Sequence, residues 1–220
     1  KIELNILHQN SHQAEKNKVK FNNYNLLCLN IMSSPGAGKT RLLEITLEDL
    51  SKKFHSAVLE GDMTTNLDAA RLEKLNIPVV PITTGRACHL DANMVSGGLK
   101  LLEKKINPDL LDILLVENVG NLVCPAEFEI GEHFKVALLS ITEGEDKPLK
   151  YPIMFREADL ILITKVDLLP HLNFDINELK SNIASTNPKA DVIEISSITK
   201  SGFDLWQDWI SKKILKFKNN

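Results

Sequence analysis

Seven short apolar runs punctuate the chain, at Leu26–Met32, Ser56–Glu60, Val79–Ile82, Ile113–Glu117, Val136–Ile141, Leu160–Thr164 and Val192–Ile195. Several are stretches of Val, Ile and Leu without polar alternation. That is the pattern of strands covered by helices on both faces, not of strands with one wet face. Between them lie stretches of helical periodicity at Arg41–Lys53, Leu67–Leu75, Asp91–Lys105, Asp175–Ser185 and Gly202–Phe217. Leu43, Leu47, Leu50 and Phe54 recur on one face of the first, and Trp206, Trp209, Ile210, Ile214 and Phe217 form a stripe on the last that core packing explains. Strands alternating with helices predict a doubly wound α/β fold, with a mostly parallel sheet of about seven strands. Residues 1–25 break the pattern: they are polar and rich in Asn, Gln, His and Lys, with a short apolar set at Ile2, Leu4, Ile6 and Leu7. We read them as a helical arm peripheral to the core, and residues 26–220 as one domain.

Composition narrows the classes of function. With 220 residues and 43% apolar content the chain can bury a sizeable core, and a formal charge of −3 gives no electrostatic reason to expect nucleic acid or a membrane surface as partner. No apolar stretch approaches the roughly 20 residues of a membrane helix, and the first residues lack the layout of a signal peptide. A cytoplasmic protein is expected. Three cysteines, an odd count, fit free thiols or metal ligands better than a disulfide framework.

The chemistry gathers where the apolar runs end, as it does in open α/β sheets. Residues Ser33 to Thr40 read SSPGAGKT, a phosphate-binding loop with Ser33 where the first glycine usually stands. Backbone N–H groups across Gly36, Ala37, Gly38 and the start of the next helix, through Arg41, are placed to curl round phosphates. Lys39 reaches the β- and γ-phosphates, and Thr40 ligates Mg²⁺. This makes residues 26–220 a P-loop domain. Asp62, after the second run, and Glu117, at the end of the fourth, are the candidate Mg²⁺ ligands; with Lys39 they form the expected catalytic set. Asp68 reads equally well as a helix first-turn carboxylate. Gly120 lets backbone approach a γ-phosphate. Thr164, Lys165 and Asp167 (TKVD) resemble the guanine-reading element of GTPases, and Ser196 and Ser197 the element whose backbone N–H meets guanine O6. Together they favour GTP over ATP. No glutamine or arginine finger announces itself, so slow intrinsic hydrolysis is expected, with Arg71 and Arg86 as the available cations.

Cys28 lies inside an apolar run and reads as a small buried hydrophobe. Cys88 and His89 are adjacent in a loop, and Cys124 follows the proposed phosphate sensor. Thiolate and imidazole suit Zn²⁺ or Ni²⁺, with the remaining ligands from another loop or a second subunit. On spacing alone, structural or reactive thiols stand beside metal binding as explanations. His8 and His12 share a helical face at i,i+4 and read as solvated arm residues.

Taken together, SSPGAGKT (33–40), EGDMTTNLDAARL (60–72), TGRACHLDA (84–92), ENVGNLVCPAEF (117–128), TEGEDKPLKYP (142–152) and TKVDLLP (164–170) closely resemble the HypB family of nickel-incorporation GTPases, members of the dimerising SIMIBI class. The resemblance spans nearly the whole chain. It implies a P-loop GTPase in which Cys88, His89 and Cys124 bind nickel or zinc at a GTP-dependent homodimer interface. It also implies a role in [NiFe] hydrogenase maturation, beside a second nickel chaperone and, indirectly, the hydrogenase large subunit. The sequence shows neither the CxxCGC motif nor the His-rich tract of some members, and Arg41 stands where Thr or Ser is frequent. The rival readings are a urease or cobalamin-enzyme accessory GTPase, a small-molecule P-loop kinase, and a metal-storage or binding protein with vestigial nucleotide chemistry. The first is disfavoured because the urease protein has Cys-Pro-His where this chain has contiguous Cys88-His89.

Overall fold

All seven expected strands form, and they pair in parallel throughout. In the computed structural model, which describes residues 2–63 and 67–219 with side chains from Leu7 onward, the strands are β1 (Leu27–Ser33), β2 (Ser56–Asp62), β3 (Val79–Thr83), β4 (Ile113–Glu117), β5 (Phe134–Ser140), β6 (Leu160–Thr164) and β7 (Asp191–Ile195). The side chains of Ile2, Leu4 and Ile6, and residues 64–66 of the EGDMTTNLDAARL segment, lie outside the described residues. The sheet order is β3-β2-β4-β1-β5-β6-β7. Because β2, β4 and β1 are neighbours and parallel, their carboxyl ends sit side by side, and everything that follows them in sequence converges on one edge.

Helices α2 (Lys39–Leu50), α3 (Leu67–Glu73) and α9 (Phe203–Lys218) serve one face, where Leu29, Ile31, Leu43, Leu47, Trp206 and Ile210 share a core. Trp206 is fully buried and donates its indole N–H to Thr46 Oγ1 at 2.8 Å, which supports the packing reading of that aromatic stripe. The other face carries α4 (Ala92–Leu102), the one-turn helices α5 (Cys124–Glu127), α6 (Lys147–Lys150) and α7 (Pro152–Arg156), and α8 (Ile176–Thr186). Each of the three short helices has a proline in its first turn, where a missing N–H costs nothing. No helix of the described residues is long and apolar enough to cross a membrane.

The first 25 residues require a correction. They form α1 (Ile2–Asn23), but this helix is not peripheral: it packs on α4, and Phe21 is fully buried in a core shared with Leu26, Leu59 and Val95. Its inward face is Asn10, Ala14, Asn17 and Phe21, all buried, a helical stripe in which two of the four members are polar.

Candidate functional site

The loop between β1 and α2 has the backbone of a phosphate cradle. Gly36 and Gly38 hold φ of +77° and +99°, a conformation and not a space limit, since a Cβ at either would meet nothing within 4 Å. Gly38 is also the N-cap of α2, so the helix opens directly onto the loop. Ser33 has a purpose of its own: its hydroxyl receives the Lys39 ammonium at 2.8 Å and in turn donates to Ser34 O at 2.6 Å. Burial lowers the Lys39 pKa, against the pull of Glu117, Asp68, Glu143 and Glu60 nearby. Gly120 presses on the loop from the other side; a Cβ there would lie 2.9 Å from Pro35 Cα. Asn121 N donates to Ser33 O at 2.7 Å.

Two acids meet at the head of Thr40. Glu60 and Glu117 are register partners on β2 and β4, both buried. Thr40 Oγ1 donates to Glu117 Oε1 at 2.7 Å, while Glu117 Oε2 and Glu60 Oε2 are buried with no partner. Burial is the main reason their carboxyls are pushed up, Glu60 to about 8 and Glu117 to about 7. Of the buried side-chain oxygens left without a partner among the described residues, the other two are Ser34 Oγ, in the loop itself, and Glu143 Oε2, whose charge acts on Lys39. An unsatisfied buried oxygen is costly, so this concentration marks a place built for a ligand. Oxygen donors of this hardness fit a divalent cation of the Mg²⁺ kind.

A cleft of about 400 Å³ joins these groups, with Gly36, Lys39, Glu60, Asp62, Glu117 and Gly120 in its lining. Asp62 Oδ1 accepts from Met63 N at 2.6 Å. Glu60 is the residue that sequence reasoning passed over in favour of Asp62; its signal was an acid ending an apolar run, as Glu117 ends its own. Arg41 lines the cleft while its guanidinium pairs with Glu44 at 3.0 Å. Arg71 is held by Glu44 at 2.8 Å and by Asp68 at 3.0 Å. Arg86 is exposed on the loop before Cys88.

The TKVD segment braces and flanks the same loop. Thr164 Oγ1 donates to Ala37 O at 2.9 Å, so the hydroxyl performs a supporting bond to the phosphate loop itself. Lys165 adopts φ +62°, unusual for a side-chain-bearing residue, and turns the chain sharply after β6. Asp167 Oδ1 accepts from Ser196 Oγ at 2.5 Å. The Ser196 N–H is already donated to Ser201 O at 3.1 Å, and its hydroxyl also accepts from Ile198 N and Thr199 N. Ser196 therefore orients Asp167 instead of presenting its own N–H, the contact expected of it; Ser197, half-buried beside it, retains that expectation.

Cys88, His89 and Cys124 come together although 36 residues separate the thiols in sequence. Cys88 Sγ is 3.3 Å from Cys124 Sγ and 3.9 Å from His89 Nδ1, and one ligand atom from each of the three lies within 4.8 Å of the others. All are half-buried. His89 packs against Phe128 in a tilted contact, ring centres 4.1 Å apart, and burial lowers its pKa, which favours the neutral imidazole that a metal needs. Burial, then the Cys88 thiol beside it, raises Cys124. Cys28 is fully buried in the core, and His8 and His12 are exposed. The two centres are joined by one side chain: Asn118 Oδ1 accepts from Leu90 N and Val119 N, both at 2.9 Å, and its Nδ2 donates to Asn30 Oδ1 at 3.2 Å.

Comparison with known proteins gives a consistent result. A family model described as CobW/HypB/UreG, nucleotide-binding domain, matches residues 27–194. Hydrogenase maturation factor HypB of Azotobacter vinelandii is 48% identical over 214 residues, covering 97% of this chain and 69% of that protein. The crystal structure of HypB from Helicobacter pylori in complex with nickel superposes with a TM-score of 0.90 at 39% identity, over 94% of this chain and 96% of the other. HypB from Archaeoglobus fulgidus gives 0.87 at 37% identity, over 94% and 99%.

Proposed function

The chain belongs to the CobW/HypB/UreG family of nucleotide-binding domains and, within it, to the HypB hydrogenase maturation factors; from that premise we propose that it is a GTPase that holds and releases nickel during [NiFe] hydrogenase maturation. The observation that carries this reading is one segment with two duties. Glu117, at its start, bonds Thr40 beside the phosphate loop, and Cys124, at its end, meets Cys88 and His89. Similarity to a HypB protein over 97% of the chain, with contiguous Cys88-His89, favours nickel delivery to hydrogenase over the urease and cobalamin rivals.

GTP is the substrate. The loop N–H groups and the α2 N-terminus receive its β- and γ-phosphates, and Lys39 exchanges Ser33 Oγ for phosphate oxygen. Asp167, oriented by Ser196, accepts from guanine, which adenine cannot satisfy. Thr40, Asp62 and Glu117 would hold Mg²⁺, with Glu60 behind them, and the ion when bound neutralises charge on the β/γ oxygens. Thr40 Oγ1, on turning to such an ion, would release Glu117 Oε1, and Gly120, packed against Pro35 of the phosphate loop, would carry the same segment with it. Cys124 and, through Asn118, the Cys88–His89 loop move with it, so nucleotide state biases metal affinity. Hydrolysis by one chain is slow, because Arg71 is held by Glu44 and Asp68 and Arg86 is not among the residues lining the cleft.

Nickel is the cargo and zinc its competitor, bound by Cys88, His89 and Cys124 with the remaining coordination completed by a second copy in a GTP-favoured homodimer. A second nickel chaperone in the cytoplasm exchanges metal with it, and the hydrogenase large subunit is served indirectly. Equilibrium dialysis with nickel on the wild type and on Cys88→Ala/Cys124→Ala, alongside phosphate release from GTP by wild type and Lys39→Ala, tests both halves. Binding lost in the first pair and turnover lost in the second are expected. Equal nickel binding, or turnover surviving Lys39→Ala, contradicts the proposal.

A further inference from the structure

Helix α1 carries two buried amides that neither nucleotide chemistry nor metal ligation uses. Asn10 and Asn17 are only 5% and 2% exposed and stand two turns apart on the inward face of the helix. Asn10 Oδ1 accepts from Ala92 N at 2.9 Å, and its Nδ2 donates to Glu129 O at 2.8 Å. Asn17 Nδ2 donates to Ala92 O at 2.7 Å and to Ile130 O at 3.0 Å, while its own carbonyl receives Gln13 Nε2 at 2.9 Å. Each amide therefore has one bond to Ala92, just beyond Cys88 and His89, and another to the stretch just beyond the helix that starts at Cys124. Next to that stretch, Gly131 has φ +97°, and a Cβ there would lie 2.6 Å from Ala14 O. The helix backbone and the loop meet at a separation only glycine allows.

Packing alone would be served by leucine at these two positions, since a buried amide gains little over an apolar group of its size. What an amide adds is register: it fixes two backbone segments relative to one another, and displacing either leaves donors and acceptors unsatisfied. We infer that α1 is a splint for the metal site, its Asn10 and Asn17 setting the separation between the Cys88–His89 loop and the Cys124 segment and thereby the affinity for metal. The inference rests on the metal reading of Cys88, His89 and Cys124. Linkage makes it reciprocal: if docking of α1 favours metal, metal favours docking of α1 by the same factor.

The test uses the full chain and Co²⁺, whose thiolate charge-transfer absorption reports ligation. Asn10→Ala/Asn17→Ala should lower cobalt affinity by about tenfold or more, the usual effect of losing groups that orient metal ligands, with GTP affinity unchanged. Equal cobalt affinity in variant and wild type overturns the splint. Should the variant fail to fold, hydrogen exchange on the wild type decides: nickel must slow exchange of the α1 amides, and unchanged α1 exchange with metal bound overturns the proposal. A wild type that binds no cobalt defeats the metal reading itself, and the splint with it, which separates the two failures.

Discussion

Leu90 hangs its backbone N–H on the side chain of Asn118, at 2.9 Å. One residue earlier along the chain is His89; one residue before Asn118 is Glu117, whose carboxylate holds Thr40. Asn118 also anchors to β1 through its own N–H to Ile31 O at 3.0 Å and through Asn30. A buried hydrogen bond thus links the strand end beside the phosphate loop to the Cys88–His89 loop.

Asn118→Ala should separate the two sites. Leu90 N–H would be left buried without a partner, a cost of about 1–3 kcal/mol in stability. Nickel and GTP should each still bind, but nickel affinity should become nearly independent of which nucleotide is present. Calorimetric titration of nickel with a non-hydrolysable GTP analogue and with GDP measures this; a preserved ratio between the two sinks the role given to Asn118.

Guanine preference is assigned to Asp167. Asp167→Asn should weaken GTP by roughly 100-fold, as expected from removing a charged acceptor of two hydrogen bonds, while leaving the weak binding of ATP little changed. Ser196→Ala, which removes the 2.5 Å bond that orients Asp167 together with the acceptor for Ile198 N and Thr199 N, should cost GTP roughly tenfold. Competition of both nucleotides against a fluorescent guanine analogue checks both variants, and parallel loss of GTP and ATP affinity would argue for general collapse of the pocket.

His133 gives a pH signature away from either site. Its Nδ1 accepts from Cys28 N at 2.9 Å, and burial, with Lys18 second, lowers its pKa from 6.5 to about 4. The folded state therefore binds fewer protons than the unfolded state between these values. The stability it contributes is present above pH 6.5 and lost as pH falls through about 4. Buried Glu60 and Glu117 work in the opposite sense, so the comparison must be between wild type and His133→Asn, with urea unfolding from pH 7 to pH 5. The variant should lose less stability on acidification; identical pH slopes would contradict the assignment.

The strands were legible in the sequence because a parallel sheet covered on both faces writes itself as unbroken Val, Ile and Leu, and the phosphate loop because its glycine and lysine spacing is rigid. Helix α1 was misjudged for an equally physical reason. Half of its inward positions are Asn10 and Asn17, which look polar to any periodicity yet are buried by hydrogen bonds to Ala92, Glu129 and Ile130. Glu60 was overlooked because its pairing with Glu117 depends on strand order, β2 beside β4, which no local pattern states. Helices α5, α6 and α7 are one turn or little more, too short for a period to appear. The nearness of Cys88 to Cys124 came from family resemblance, and the 3.3 Å separation of their sulfurs adds the geometry that spacing lacked.

In the proposed mechanism, nucleotide state sets metal affinity through the segment from Glu117 to Cys124. The most direct measurement is the nickel dissociation constant of the wild type with a non-hydrolysable GTP analogue and Mg²⁺ against that with GDP and Mg²⁺, repeated in Cys88→Ala/Cys124→Ala. A difference of about fivefold or more in the wild type, typical of a coupling near 1 kcal/mol or above, is predicted, and none in the variant. The same nickel affinity in both nucleotide states of the wild type would contradict the account.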